Sequence, residues 1–241
     1  MAIPCHSWAR THVGTVRHRN EDAILARPDI GLFAIADGAG GHQRGDYASR
    51  SIIAALTEVP PAFSGPQLVK DVSAVLKRLN RQFREEALSI GPNALIGSTV
   101  VVLMIFPGES FCLWAGDSRF YRLRGGELHQ LSRDQSYVQD LIERGEIEPA
   151  AAATHPLANV VSNLVGGTDE LALEERQDAL KPGDVLLLCS DGLNRAVADN
   201  DIAAILRGNP VTSAADRLIE HALASSARDN ISVVVIEYVG Y

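Results

Sequence analysis

Six acidic residues stand out because each lies at a predicted turn beside a run of small or apolar residues. An aspartate or glutamate in such a position is held by a rigid element, and several of them together can serve one purpose. Carboxylate oxygens are the ligands that hard divalent cations such as Mg²⁺ and Mn²⁺ prefer. The pattern therefore predicts metal-assisted hydrolysis, and its residues are Glu21, Asp22, Asp37, Asp117, Asp191 and Asp229.

Glycine follows two of these carboxylates, giving Asp37 with Gly38 and Asp191 with Gly192. The preceding strand fixes the aspartate, and glycine lets the backbone turn so that a carbonyl oxygen can also face an ion. A single pair of this kind is more often a simple turn than a ligand, and the glycine-rich residues 38–41 alone are a weak signal. The recurrence of such pairs beside apolar strands favours the metal site.

Two arginines, Arg17 and Arg19, stand just before Glu21 and Asp22. A planar guanidinium group can hold two oxygens of one phosphate, so an arginine beside a two-metal site suits a phosphoester substrate. The alternative for either arginine is a solvated surface charge.

Apolar runs rich in Val, Ile and Leu predict the strands that position these residues. The strands cover residues 31–36, 98–106, 110–115, 120–124, 184–189 and 232–238, and the predicted helices cover residues 46–56, 67–88, 199–206 and 211–225. Turns at Pro107 and Gly108, and at Gly125 and Gly126, predict two hairpins and, with them, a central antiparallel meander. Strands and helices come in groups rather than in strict alternation, which indicates an α+β fold with antiparallel sheets.

Composition narrows the function classes. The length of 241 residues suits one large domain, and the net charge of -8 argues against a nucleic-acid partner, because phosphate backbones are bound through basic surface. Three cysteines without a C-x-x-C pair fit a reducing cytosol. No apolar run has the length of a secretory signal or a membrane span, so we expect a cytoplasmic protein without membrane contact.

Six motifs follow one another along the chain. They are GTVRHRNED at 14–22, FAIADGAGGH at 33–42, GSTVVV at 97–102, AGDSRFY at 115–121, LLLCSDGL at 186–193 and RDNISVVV at 228–235. In this order they resemble the metal-dependent protein phosphatase family, the protein phosphatase 2C type, in its compact bacterial form. The resemblance extends over about residues 11–238 and implies a single catalytic domain for residues 1–241.

The fold implied by the resemblance is a four-layer αββα sandwich, two antiparallel β-sheets flanked by helices, with the metal site at one edge. By motif, Asp37 would bridge two Mn²⁺ or Mg²⁺ ions, with the Gly38 carbonyl on one and Asp191 and Asp229 on the other. Asp117, with Asp191, would form a possible third ion site.

The remaining site residues are implied in the same way. Glu21 and Asp22 would act through waters as outer-shell partners of the ions. Arg17 matches the substrate-binding arginine that grips phosphate, because it stands five residues before Asp22, whereas Arg19 does not match. Residues 142–157 look like an excursion from the core, either a mobile flap, which the resemblance extends to about 142–165, or a surface insertion.

The resemblance implies a serine/threonine protein phosphatase that hydrolyses phosphoserine and phosphothreonine on proteins and opposes a bacterial Ser/Thr kinase. A water bridging two ions would be acidified and would attack phosphorus in line, while the cations and Arg17 offset charge on the equatorial oxygens. The catalytic residues of this scheme are Arg17, Asp37 and Asp191.

Two positions depart from the family pattern. Ala39 stands where many eukaryotic members carry a histidine proposed as general acid. The nearby His42 has two interpretations: it transfers a proton, or it makes a local hydrogen bond. Gln135 stands where relatives often have histidine in D-H-S, which bears on contacts with the neighbouring flap.

The alternative function is a catalytically weak, phosphoprotein-binding regulator with the same fold. A two-metal nuclease or phosphodiesterase is disfavoured by the acidic composition. Residues 25–32 are similar to the stand-alone phosphatases that accompany bacterial type VI secretion. The expected partners are phosphorylated proteins and a Ser/Thr kinase, with no nucleic acid and no membrane, for a chain that acts as a monomer.

Overall fold

The computed structural model describes residues 3–39, 44–152 and 154–240 of the chain. Two antiparallel β-sheets pack face to face, and helices cover the outer face of each sheet. This arrangement is a four-layer αββα sandwich, so the predicted α+β fold is confirmed.

The secondary structure alternates between groups of strands and groups of helices. The strands are β1 (Cys5–His12), β2 (Asp22–Arg27), β3 (Leu32–Ala39), β4 (Gly97–Ser98), β5 (Val100–Phe106), β6 (Glu109–Ala115), β7 (Arg119–Arg124), β8 (Glu127–Gln130), β9 (Glu174–Ala179), β10 (Asp184–Cys189) and β11 (Ile231–Tyr238). The helices are α1 (Gly45–Thr57), α2 (Gly65–Ile90), α3 (Tyr137–Glu143), α4 (Pro149–Ala152), α5 (Asp191–Asn194), α6 (Asp199–Gly208) and α7 (Val211–Ala224).

The first sheet has the strand order β1-β11-β10-β7-β8, and the second has the order β2-β3-β5-β6-β9 with the short β4 paired to β3. All of these pairs are antiparallel. The inner strands β5, β10 and β11 are largely apolar because they are buried on both faces, once against the other sheet and once beneath helices.

The core consists of three apolar layers. Along β3, Ala34 packs beneath α1 and α2, whereas the next residue, Ile35, lies in the layer between the sheets. Along β10, Leu187 packs beneath α6 and α7, and Leu188 faces the layer between the sheets. Full burial of one such side chain contributes about 1.5–3 kcal/mol relative to exposure, so these layers hold both sheets in fixed register.

The sequence of the long helix α2 explains where the helix begins and which face is buried. Ser64 caps its N-terminus, since its side chain accepts a hydrogen bond from the Gln67 backbone N–H at 3.4 Å, and Pro66 lies in the first turn. Its apolar stripe includes Val72, Leu76 and Phe83, all of which are fully buried. The four helices predicted from periodicity are confirmed, each within three residues of the observed ends.

Two predictions about the strands need correction. The hairpins around Gly108 and around Gly125 and Gly126 are present, and all three glycines have positive φ as tight turns require. The central meander is wrong, because β6 belongs to the second sheet and β7 to the first. The strands β1, β2, β8 and β9 were not predicted, and all four are edge strands of their sheets.

The predicted flap, residues 142–165, begins at the end of α3 and contains α4. Its far end returns to the body of the protein, where Val165 and Ser98 exchange two backbone hydrogen bonds of 3.0 and 3.1 Å. Within the described ranges, no helix is both long enough and apolar enough to cross a membrane.

Candidate metal centre

One cavity of about 260 Å³ collects all but one of the residues predicted to serve the site. The predicted residues that line it are Arg17, Glu21, Asp37, Gly38, Asp117, Asp191 and Asp229. They come from segments far apart in the sequence, and they meet because β3, β6, β10 and β11 place their ends at the same edge of the sandwich. Whether each residue binds an ion stays a prediction.

The exception is Asp22, which lies behind the cavity rather than in its wall. It pairs with Asp37 across β2 and β3, and its side chain is buried. Its Oδ2 accepts hydrogen bonds from the hydroxyls of Ser190 at 2.8 Å and Ser232 at 2.6 Å. These bonds tie β2 to the first sheet directly beneath the carboxylates.

The turn at Gly38 leaves no room for a side chain. A Cβ added there would lie 2.2 Å from the Gly45 carbonyl oxygen, so only glycine lets the start of α1 approach β3 so closely. The Gly38 N–H donates to the Glu21 carbonyl at 3.1 Å, which holds this turn beside the segment that carries Arg17.

A second close approach occurs at the start of α5. A Cβ on Gly192 would lie 1.9 Å from the carbonyl oxygen of Asn230, so Asp191 and Asp229 are brought together by direct backbone packing. The Asn230 side chain adds three hydrogen bonds, to the Val13 and Arg19 carbonyls at 2.8 and 2.9 Å and from the Glu21 N–H at 2.8 Å. It therefore anchors the segment between β1 and β2.

Burial, and then the charges of neighbouring carboxylates, raises the pKa of three aspartates, Asp22, Asp37 and Asp191. Burial is the largest cause for Asp37, whose pKa lies well above its usual value, and the charges of Asp22, Asp191, Asp117 and Asp229 add to it. Burial, then the charge of Asp117, raises the pKa of Asp191 to about 7. Burial likewise raises the pKa of Asp22 to about 6 against the lowering effect of its two serine hydrogen bonds. Positive charge close to these carboxylates would stabilise their ionised forms.

Two arginines supply part of that charge. Arg17, half-exposed at the rim, donates to Asp229 Oδ2 at 2.9 Å. Arg195 contacts Oδ2 of Asp191 at 2.9 Å and Oδ2 of Asp117 at 3.1 Å. Two cations are fewer than the carboxylates in the cavity, so the site retains a negative charge.

The donor set fits divalent cations, although the side chains do not yet surround one point. Among residues 3–39, 44–152 and 154–240, no three acidic, histidine or cysteine side chains stand together at the spacing that holds an ion. Two buried carboxylate oxygens, Oδ1 of Asp22 and Oδ1 of Asp191, have no hydrogen-bond partner within the described part of the chain. A buried anionic oxygen without a partner is costly, and a bound cation removes that cost.

Comparison with known proteins identifies the group to which this site belongs. A family model described as Protein phosphatase 2C matches residues 12–232 of the chain. The chain belongs to the protein phosphatase 2C family.

A curated relative supports this assignment at the level of sequence. The chain is 37% identical over 235 residues to the serine/threonine protein phosphatase PstP of Mycobacterium tuberculosis, a match that covers 97% of this chain and 45% of that protein. The chain thus spans less than half the length of that curated relative.

Solved structures of protein phosphatase 2C relatives share the fold. PppA, described as a key regulatory component of T6SS in Pseudomonas aeruginosa, has a TM-score of 0.90 at 41% identity, with 97% of each chain covered. The catalytic domain of PstP in complex with two manganese ions has a TM-score of 0.84 at 33% identity, with 98% of each chain covered. The predicted resemblance and its sandwich fold are confirmed.

The cavity of this protein phosphatase 2C member also contains residues that sequence reasoning did not select. Thr99, Asn159, Arg195 and Asn230 line it together with the predicted set. Arg195 could have been found, because it follows Asp191 by four residues, one helical turn. Asn159 carried no signal, since it lies in the flap far from any motif.

The structure describes both positions that depart from the family pattern, Ala39 and Gln135. Ala39 lines the cavity, so no imidazole stands at that position, and His42 lies outside the described residues. Gln135 is buried and joins the Asp117 turn to the flap: its Oε1 accepts from the Gly116 N–H at 2.9 Å and from Asn163 at 2.7 Å. A neutral amide therefore fulfils a positioning role next to the site.

Proposed function

We propose that this chain is a metal-dependent protein-serine/threonine phosphatase that hydrolyses phosphoserine and phosphothreonine on proteins. The observation that carries the proposal is the convergence of Asp37, Asp191 and Asp229 on one cavity with Arg17 at its rim. Membership in the protein phosphatase 2C family supports the same reaction.

The residues assigned to the ions are those that the motifs implied, and their places in the cavity support this assignment. Asp37 and the Gly38 carbonyl, with Asp191 and Asp229, are assigned to two Mn²⁺ or Mg²⁺ ions. Two manganese ions in the related PstP catalytic domain support that number. Asp117 is assigned, with Asp191, to the possible third site.

Glu21 and Asp22 are assigned a supporting role. Glu21 lines the cavity, and burial raises its pKa, an effect that the charge of Arg17 opposes. Asp22 is held behind Asp37 by Ser190 and Ser232. Both contribute negative charge that strengthens cation binding without displacing Asp37.

The ions, when bound, supply Lewis-acid chemistry: they lower the pKa of water and offset charge on phosphate oxygens. The chain contributes orientation. Arg17 is half-exposed and uses Nη2 on Asp229, so the rest of its guanidinium remains available for a phosphate oxygen. Asp229 thus orients Arg17 at the rim of the cavity.

The biological setting is proposed from relatives. The likeness to PppA supports type VI secretion as the process. Relatives named serine/threonine phosphatases support substrates that a bacterial Ser/Thr kinase has phosphorylated. The three cysteines are free thiols, which fits a reducing cytoplasm. The chain is proposed to act there as a monomer.

The proposal is tested with a phosphothreonine peptide and protein stripped of metal by EDTA. We expect phosphate release after addition of Mn²⁺ or Mg²⁺ and none without it. Asp37→Asn and Asp191→Asn should each lower kcat by at least about 100-fold, the range expected when charge stabilisation in a transition state is lost. Asp201→Asn, an exposed change in the first turn of α6, is the matched control and should leave kcat unchanged.

Phosphopeptide binding without release in any metal condition would overturn the proposal. That outcome would favour the phosphoprotein-binding regulator instead. Binding is followed by fluorescence anisotropy of the same labelled peptide, so one sample separates the two functions.

A further inference from the structure

Arg195 occupies the position between the two carboxylates assigned to a third ion. It caps the C-terminus of α5, so one helical turn places its guanidinium over Asp191. Its Nη1 lies 2.9 Å from Asp191 Oδ2, and its Nη2 lies 3.1 Å from Asp117 Oδ2. Both carboxylates are nearly buried, with 12% and 7% of their side chains exposed, so water competes little for these contacts.

The same guanidinium also contacts the flap. Nη1 donates a hydrogen bond to Asn159 Oδ1 at 2.6 Å. Asn159 belongs to the flap segment 142–165 and is otherwise exposed. One side chain therefore connects the acidic pair to the flap.

We propose that Arg195 is a built-in cation that takes the place of a third divalent ion and latches the flap through Asn159. The inference rests on the proposed function and goes beyond it: the chain would hold two ions, and a third would enter only when Arg195 leaves and releases the flap. A guanidinium is never deprotonated in a protein, so this counter-charge is permanent.

The division of the Asp191 oxygens supports this assignment. Oδ2 is engaged by Arg195, whereas Oδ1 is buried and has no hydrogen-bond partner among the residues that the structure describes. Arg195 therefore leaves one oxygen of Asp191 for the main pair of ions and covers the other, while its Nη2 contacts Asp117. A guanidinium and a divalent ion repel each other strongly at such separations, so the two cannot occupy this position together.

A role for Arg195 in holding substrate phosphate is the competing interpretation, because Arg195 borders three cavities at the edge of the sandwich. Its two terminal nitrogens are already engaged by Asp117, Asp191 and Asn159. Arg17, by contrast, contacts a single carboxylate. The two arginines therefore have different tasks.

The experiment counts Mn²⁺ ions by isothermal titration calorimetry and by electron paramagnetic resonance of free Mn²⁺, on metal-stripped protein. Wild type should bind two ions below millimolar concentration. Arg195→Met keeps the apolar stem and should gain a third ion with at least tenfold higher affinity than any third site in wild type. Arg195→Lys keeps the charge and should retain two, and Asp117→Asn with Arg195→Met should lose the third.

Release of the flap is measured separately, by limited trypsin digestion. Arg144 is the only lysine or arginine in residues 142–165, so trypsin cleavage after it reports on the flap. We expect faster cleavage in Arg195→Met and in Asn159→Ala, but a third ion only in the former. Arg78→Met, an exposed change on α2, is the matched control and should alter neither quantity.

An ion count of two in a folded Arg195→Met protein, or three in wild type, would overturn the inference while leaving the proposed function standing. A higher KM for phosphopeptide with an unchanged count would assign Arg195 to substrate and overturn it as well. Wild type that binds no Mn²⁺ would overturn the proposed function itself.

Discussion

Asp22 lies directly opposite Asp37 in the antiparallel pairing of β2 with β3. The two carboxylates therefore stand on neighbouring strands, and the charge of Asp22 is the second cause, after burial, of the raised pKa of Asp37. Folding forces this proximity on a chain that would otherwise keep the two charges in water. This repulsion lowers the stability of the metal-free protein. Bound cations would offset it and stabilise the fold.

Asp37→Asn should thus stabilise the metal-free protein. Removing one buried charge relieves repulsion from Asp22 and Asp191, and we expect a gain of about 1 kcal/mol, or about 2–4 °C in Tm. The same variant should lose most of the Tm increase that Mn²⁺ gives to wild type, because ligand binding to the native state is what raises it. Differential scanning calorimetry with EDTA and with Mn²⁺ measures both.

Asp201→Asn serves as the control, since Asp201 is exposed and lines none of these cavities. A metal-free Tm of Asp37→Asn below that of wild type would contradict the repulsion on which this prediction depends.

The sequence predicted the central strands well, because burial on both faces leaves an apolar run that is hard to miss. It missed all four edge strands. The edge strand β9, with sequence EERQDA, is mostly exposed and has no apolar alternation, so only its pairing with β6 makes it a strand. The prediction of a central meander was wrong for a related reason. Local turn residues identify hairpins, but long-range packing decides which sheet β6 and β7 each join.

The acidic residues of the site could be found because their types and turn positions limit their chemistry. Their mutual arrangement could not be derived from those positions. Glycine without positive φ, as at Gly192, gives no local hint that a carbonyl of Asn230 lies against it. The contact of Arg195 with Asn159 joins two segments that no motif connects.

Gln135 should control the flap without taking part in chemistry. Its side chain joins Gly116, Asn163 and, through Nε2 at 2.9 Å, Glu174. Gln135→Ala leaves the buried Gly116 N–H without its acceptor and removes the contacts with Asn163 and Glu174, which should cost roughly 1–3 kcal/mol in unfolding free energy. We also expect faster trypsin cleavage after Arg144, measured by mass spectrometry under native conditions.

The control for that change is Gln82→Ala, because Gln82 is exposed on α2, where its Nε2 donates to Glu86. Equal cleavage rates in wild type and Gln135→Ala would show that the flap is held by other contacts.

Gly192→Ala should be among the most damaging single changes in the chain. The added Cβ would meet backbone rather than a flexible side chain, at 1.9 Å from the Asn230 carbonyl oxygen. The start of α5 must then move, which separates Asp191 from Asp229, and we expect a loss of about 3 kcal/mol in stability. Urea unfolding checks the stability, and Mn²⁺ titration checks the site.

Gly208→Ala provides the comparison, since nothing lies within 4 Å of a Cβ at that position in α6. There the substitution should be neutral or slightly stabilising, because alanine favours a helix more than glycine does. Similar effects at both positions would refute the steric explanation.

The ion pair between Asp184 and Arg124 should make stability depend on acid pH. Burial alone would raise the pKa of Asp184, but hydrogen bonds of 2.6 Å from Arg124 and one from the Lys181 N–H outweigh it and hold the pKa below its usual 3.8. A carboxyl whose pKa is lower in the folded state contributes its full stability above the unfolded pKa, near 4, and loses it as pH falls toward the folded value. Asp184→Asn should cost roughly 1–3 kcal/mol at pH 7 and reduce the loss of stability below pH 4.

Asp216→Asn is the matched change in an exposed pair, since Asp216 contacts Arg10 with 42% and 41% of the two side chains exposed. Exposed pairs contribute about 0–1 kcal/mol, so this variant should resemble wild type throughout. Urea unfolding between pH 7 and pH 3 compares the three proteins. The prediction is contradicted if the unfolding free energy of Asp184→Asn falls between pH 7 and pH 3 by as much as that of wild type. The acid-sensitive contribution to stability would then belong to another carboxylate whose pKa is lowered in the folded state.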